Sequence, residues 1–445
     1  MQQQVAGISA TSFVVTLCLG FLLLVLPRRY ALAPMLIGGC YMTLGQFEII
    51  GGFHFYTLRI LIAFGFLRLI LKKEIFSIKL NAIDKVLIAW LIVSSFLYVL
   101  FSGDTETINL RLGAIYNTIG IYFLVRAVVR DFNDVLFTVK MFAIVILPLA
   151  VPFLVEYTTG RNPFYLFGGV SEFSQIREGK LRCQGPFLNS ILAGTFGATA
   201  MPLFVGLWGY STRDRFLAFC ALLVVTLIVF VSSSSGPLLA YLAGLVGLIC
   251  WNFKAQIKAI QRGLVILLLA LYLVMNAPVW FLIAHIAAIT GGSGWYRSAL
   301  IDAFVNHFNE WWLIGTGYTA HWMPTGLSAN PKMTDIVNHY VAQGVNGGLL
   351  GLTLFIWLIV KCFKATGLAV QDEARFSPSE QFLIWSMGCA VLTHVASFFS
   401  VSYFDQVTIF WYLIVGMVAL LVHDGKRDGY ESQDQKSQGI VQLST

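Results

Sequence analysis

Three short stretches hold residues whose types and spacing could do chemistry. Thr334–Gly351, TDIVNHYVAQGVNGGLLG, places Asp335 four residues before His339, with Asn338 beside the histidine. On a helix that spacing sets the acid and the imidazole on one face. A carboxylate there fixes the ring's tautomer and raises its basicity, which makes the pair a candidate proton acceptor, with Asn338 as a second support. REGKLRCQGPFLNSILAG, residues 177–194, offers Arg177, Lys180 and Arg182 ahead of Gly185 and Asn189. Guanidinium forks suit phosphate oxygens, and glycine permits close backbone approach. The third stretch, GGSGWYRSALIDAFVNHFNEWWLIGTGY, residues 291–318, carries Arg297 within a helical pattern. Trp295, Ala299, Ala303 and Phe304 share one face and Arg297 another, and Trp311–Trp312 suits a helix lying in a membrane interface. Together these residues could stabilise phosphate charge and move one proton. Each also has a plainer use: the basic residues as lipid-headgroup contacts, Arg297 as a snorkelling anchor, and His339 as a surface histidine near an acid.

Other motifs are weaker. His54, His285, His307, His321 and His394 have no comparable partner spacing. No HExxH, P-loop or paired-cysteine pattern occurs, and the seven cysteines are scattered, so neither a metal, a cofactor nor a disulfide framework is expected. VSSSSGPLL, residues 231–239, has no nucleophile elbow and reads as a short outer turn. Gly344, Gly347, Gly348 and Gly351 have the small-xxx-small spacing of a close-packed span.

The elements that must position these residues are membrane spans. The 445 residues are 58% hydrophobic and 11% charged, against about 25% charged in soluble proteins. Apolar runs of span length fall near 11–27, 31–48, 55–71, 84–101, 108–126 and 135–155, then 188–208, 216–232, 235–252 and 263–284, and finally 342–363, 380–400 and 405–423. The first run is read as a retained span, since no small-residue cleavage site follows it. The expected fold is an all-α polytopic membrane protein of about twelve to thirteen spans. Residues 1–155 form the N-terminal spans, 156–187 a first outer loop and 188–284 the central spans. A large outer loop with amphipathic helices, 285–341, precedes the C-terminal spans, 342–423, and an unstructured cytoplasmic tail, 424–445.

Charge sets the orientation. With the N-terminus outside, 21 of the 29 lysines and arginines fall on one side, which is then cytoplasmic. The net charge of +7 therefore records topology, not a nucleic-acid partner. Both long loops face out, to the periplasm in a Gram-negative inner membrane. Polar groups collect at that interface. No pair of broken mid-membrane spans recurs in corresponding halves, which weighs against a polysaccharide or lipid exporter.

RCQGPFLN (182–189), WYRSALIDAFVNHFNEWWLIGTGY (295–318) and VNHYVAQGVNGGLLG (337–351), in this order and on one side, resemble the motifs of the O-antigen ligase/O-antigen polymerase superfamily, exopolysaccharide polymerases included. The resemblance covers roughly Arg182 to Gly351. The chain departs from the family at Ser234–Ser235–Gly236, where Ser-Arg-Gly is common, and in a thirteenth span. The resemblance implies a GT-C-like, metal-independent, inverting glycosyltransferase. Its donor would be a glycan on undecaprenyl diphosphate and its acceptor a glycan or a lipid-linked glycan. Arg182 and Arg297, supported by Arg177, would stabilise the diphosphate; His339, supported by Asp335 and Asn338, would accept the hydroxyl proton. Membrane lipids and a chain-length regulator are the further partners implied. The first reading is a polymerase of lipid-linked repeat units; the alternative is a ligase delivering the glycan to lipid A core.

Overall fold

The computed structural model describes residues 5–50, 53–102, 105–290, 294–323, 332–404 and 406–422. The expected tail, 424–445, and Gly291, Gly292 and Ser293 of the glycine-rich run lie outside the described residues.

Helices dominate, and the chain is a multi-pass membrane protein. The N-terminal part comprises α1 (Ala10–Val25), α2 (Ala33–Tyr41), α3 (Thr57–Leu71), α4 (Ala82–Ser102), α5 (Thr105–Val128), α6 (Phe132–Ile146) and α7 (Ala150–Thr159). The central part holds α8 (Ser190–Gly206), α9 (Thr212–Val231), α10 (Ser235–Ile249) and α11 (Ile257–Val274). The large loop adds α12 (Leu282–Thr290), α13 (Gly294–Asn306) and α14 (Phe308–Trp311), and the chain closes with α15 (His339–Gln371), α16 (Pro378–Ser397) and α17 (Val407–Ala419). Among the described residues seven helical stretches are long and apolar enough to cross a bilayer, with Ala10–Val25 and Val407–Ala419 as shorter apolar helices.

The helices depart from the expected spans in two places. The run 31–48 is not one helix. It leaves the helix after Tyr41 and enters strand β2 (Gln46–Ile50), which pairs antiparallel with β3 (Phe53–Tyr56) and parallel with β1 (Val5–Ala6). Gln46 explains the break: its buried amide accepts from the Ser9 N–H at 2.6 Å and donates to the Phe167 carbonyl at 2.7 Å. The runs 235–252 and 263–284 are not separated by a loop: Ser235–Val274 is continuous but for a kink at Phe253 (φ −115°, ψ 22°), and it ends ten residues short of 284. Its second half, α11, buries no side chain in the protein, as suits a helix surrounded by lipid.

Three features place the site. A hairpin of β4 (Gln175–Arg177) and β5 (Lys180–Arg182) projects from the first long loop. The large loop has its own core, in which Trp311 stacks on Phe304 with ring centroids 3.9 Å apart and donates from Nε1 to the Phe304 carbonyl at 2.7 Å. Trp311 is thus a core residue, not an interfacial anchor, and only Trp312 is exposed. On α13 Ala303 and Phe304 are buried, but Trp295, expected on their face, points outward and Arg297, expected opposite, is buried too. α15 is interrupted at Gly347 (φ −146°, ψ 15°) and Gly348 (φ 60°, ψ −170°). Leu349 N–H donates to Trp312 O at 2.8 Å, and Thr316 N–H to Val345 O at 2.9 Å, so the loop docks onto this break through backbone. The glycines therefore serve unequally: Gly348 makes the break, while Gly351 packs loosely against Ser94 of α4.

Candidate functional site

RCQGPFLN is held from below by a residue that spacing could not single out. Glu156, fully buried near the end of α7, accepts from Ser174 Oγ at 2.6 Å, Gln184 N–H at 2.9 Å and Gly185 N–H at 2.8 Å. Gly185 has φ +56°, and a Cβ there would lie 2.5 Å from the Phe153 ring. The glycine answers to this turn rather than to a phosphate. Asn189 caps α8, its Oδ1 accepting from Leu192 N–H at 2.9 Å. This scaffold points Arg182 at the turn between α9 and α10, where its Nη2 donates to Ser234 Oγ at 2.8 Å.

Arg297 reaches the same turn from the large loop. A Cβ on Gly236 would sit 3.5 Å from Arg297 Nη2 and 2.5 Å from Ser400 Oγ, so all three groups adjoin. The expected arginines therefore converge electrostatically. Burial first, with Arg177 and Arg182 adding to it, pushes the Arg297 guanidinium down to about 10. Burial, then Arg177, also holds Arg182 below the usual arginine range. Among the described residues Arg182 and Arg297 form no ion pair, and the Nε of each is buried without a hydrogen-bond partner. Arg177 is more exposed and lies 3.6 Å from Glu178.

The contrast with the other side of the protein is chemical. On the side assigned to the cytoplasm the buried arginines meet carboxylates: Arg68 with Glu74 at 2.9 Å and Arg126 with Asp84 at 3.0 Å. Burying a guanidinium without such a partner costs several kcal/mol, by order of magnitude. Cations left uncompensated near a surface are suited to an anion that arrives later.

His339 is also placed, though not as the spacing suggested. α15 begins at His339, so Asp335 precedes the helix and shares no helical face with it. Tyr296 OH donates to the Asp335 carbonyl at 2.7 Å, and burial pushes the Asp335 carboxyl up. Asn338 is the N-cap, its Oδ1 accepting from Tyr340 N–H at 2.9 Å and Val341 N–H at 3.1 Å. It orders the helix start and not the ring. The ring is held instead by Tyr403 N–H, which donates to Nδ1 at 3.1 Å, while Gln343 Nε2 lies 3.2 Å from its Nε2. A backbone N–H cannot turn away, whereas an amide side chain can flip, here by giving up the hydrogen bond that Gln343 Oε1 accepts from Trp90 Nε1 at 3.2 Å. The neutral ring therefore carries its proton on Nε2, and its Nδ1 lone pair is engaged.

One segment joins the two halves. Phe398–Tyr403 accepts the His339 N–H on the Phe398 carbonyl at 2.8 Å, sets Ser400 beside Arg297 and binds the ring through Tyr403. It reads in the sequence only as a seam between two apolar runs. Its polar and aromatic composition, FFSVSY, was the one available signal.

His339 borders a cavity of about 450 Å³ whose lining includes Arg59 and Arg111 but neither Arg182 nor Arg297. Elsewhere on the large loop, His307 Nδ1 and His321 Nε2 lie 2.9 and 3.0 Å from Glu310 Oε1, and the three ligand atoms fall within 4.8 Å of one another. These two histidines thus have a partner that their spacing did not reveal. Glu310 also accepts from Trp322 Nε1 at 2.9 Å, which lets the trio serve as a hydrogen-bonded brace within the loop.

Set against known proteins, the chain matches no family model and no curated protein.

Proposed function

We propose that this protein is a membrane glycosyltransferase of GT-C-like architecture, with more spans than the seven full-length helices. It polymerises undecaprenyl-diphosphate-linked oligosaccharide repeat units on the extracytoplasmic face of a bacterial plasma membrane. The observation that supports this best is the convergence of Arg182 and Arg297, with no ion-paired acid among the described residues, against the Phe398–Tyr403 segment that also holds His339.

In this reading the donor diphosphate takes the place beside Arg182 and Arg297, with Arg177 at its outer edge. As the glycosidic carbon–oxygen bond breaks, charge grows on the leaving diphosphate, and fixed guanidinium groups favour it most in the transition state. An acceptor hydroxyl attacks from the opposite face and inverts the anomeric centre. Its proton passes to His339, which requires the Tyr403 N–H to release Nδ1 or the ring to turn. Asp335 and Asn338 act on this histidine only through the backbone they hold.

The test is reconstitution with lipid-linked repeat units, together with a deletion strain. A polymerase yields long lipid-linked chains in vitro, and its loss leaves single lipid-linked repeats in the cell. Long polymer stranded on the carrier lipid in the deletion strain would reassign the protein as a ligase. No transfer to either acceptor would refute the glycosyltransferase reading.

A further inference from the structure

Of the eight basic residues on the outer side, Arg59 and Arg111 are the two outside both long loops, and they share one cavity. Arg59 is buried; its Nη1 donates to the His54 carbonyl and its Nε to Asn117 Oδ1 at 3.3 Å. Arg111 donates from Nη2 to the Ser94 carbonyl at 3.2 Å, and its Nε is buried without a hydrogen-bond partner. The guanidiniums lie over the rings of Tyr56 and Tyr98, at 5.2 and 4.7 Å. Among the described residues neither forms an ion pair, and no carboxylate lines the cavity. The chain also makes room for this arrangement: a Cβ on Gly113 would lie 2.0 Å from Arg59 Nη2.

The rest of the lining suits a sugar. Trp90 and Trp411 contribute apolar ring surface to the lining, and Asn346 and Ser95 contribute hydrogen-bonding groups. The volume falls within the range of small-ligand pockets. We propose that this cavity binds an anionic saccharide, one bearing a carboxylate or a phosphate, and serves as the acceptor subsite. The acceptor assignment rests on the glycosyltransferase reading, since it is His339 that brings the chemistry to this wall. The anion specificity rests on Arg59 and Arg111 alone.

The experiment is calorimetric titration of the purified full chain with cellobiuronic acid, cellobiose 1-phosphate and cellobiose. A charge-assisted hydrogen bond to one anion predicts about tenfold or greater preference for a charged probe over cellobiose. Whichever charged probe binds tighter identifies the carboxylate or the phosphate as the source. Arg59→Gln/Arg111→Gln should reduce the preference to about one while cellobiose binding persists, which shows that the variant is folded. Gly113→Ala keeps both charges but displaces the Arg59 guanidinium, and should lower the preference severalfold. Equal binding of all three probes to the wild-type protein overturns the proposal, as does a preference untouched by both variants. Transfer that proceeds with neutral and charged acceptors alike would also refute it while leaving the glycosyltransferase standing. Selective binding without any transfer would keep the anionic-saccharide site and remove its acceptor role.

Discussion

Gly348→Ala tests whether the large loop is docked through backbone onto the break in α15. At φ 60° and ψ −170° the residue occupies a region reserved almost wholly for glycine, where a side chain costs about 1–3 kcal/mol. A Cβ would also lie 2.7 Å from Leu313 O and 2.9 Å from its carbonyl carbon. These are backbone atoms, fixed on either side by the Leu349-to-Trp312 and Thr316-to-Val345 hydrogen bonds, so no rotamer change relieves the contact. The loop must lift instead. A local opening made easier by 1–3 kcal/mol corresponds to about 5- to 150-fold faster hydrogen exchange, read at the Leu349 and Thr316 amides in reconstituted protein. Gly351→Ala is the control, because its Cβ would meet Ser94 Cβ at an ordinary 3.6 Å and exchange should stay as in the wild type. Equal exchange in both variants would refute the docking argument, as would an effect at Gly351 with none at Gly348.

Four further outcomes are expected. Cysteine at Asn309 should react with an impermeant thiol reagent in intact cells and cysteine at Lys258 should not; the reverse would invert the topology. His339→Ala should lower single-turnover transfer by about 10²–10⁴-fold with donor binding retained, whereas Arg297→Ala should weaken both and Arg297→Lys regain only part. Because burial brings Arg297 down to about 10, its charge is full well below that pH and is lost above it; donor binding should be flat to about pH 9 and fall as pH rises through 10, a fall absent in Arg297→Gln. Transfer should persist in excess chelator; a loss reversed by added divalent cation, and abolished in Glu310→Gln, would instead make His307, Glu310 and His321 a metal centre.

The membrane character was legible because it depends on composition, and Arg182 and Arg297, picked out by short motifs, do lie beside one turn. Asp335 misled because a spacing of four implies a shared face only inside a helix, and the Asn338 cap starts the helix too late to include it. Arg59 and Arg111 were visible only as two outer charges, since nothing local marks a cavity closed by residues from α3, α4, α5, α15 and α17. Glu156 and Tyr403 were silent for the same reason. One acts through backbone amides 28 and 29 residues away and the other through its own backbone N–H at a separation of 64, and backbone groups carry no residue signature.

The Phe398–Tyr403 segment has a thermodynamic consequence. A ligand beside Ser400 and a ligand beside His339 press on the same six residues, so whatever preference each has for the segment's position becomes a reciprocal factor in the other's affinity. In the glycosyl transfer proposed above, order of addition would then matter to the chemistry. A donor that arrived alone while Tyr403 N–H kept the Nδ1 lone pair would meet no competent base, and water would have little means of attacking it. The segment would thus spare an expensive lipid-linked glycan from idle hydrolysis until the second substrate is in place.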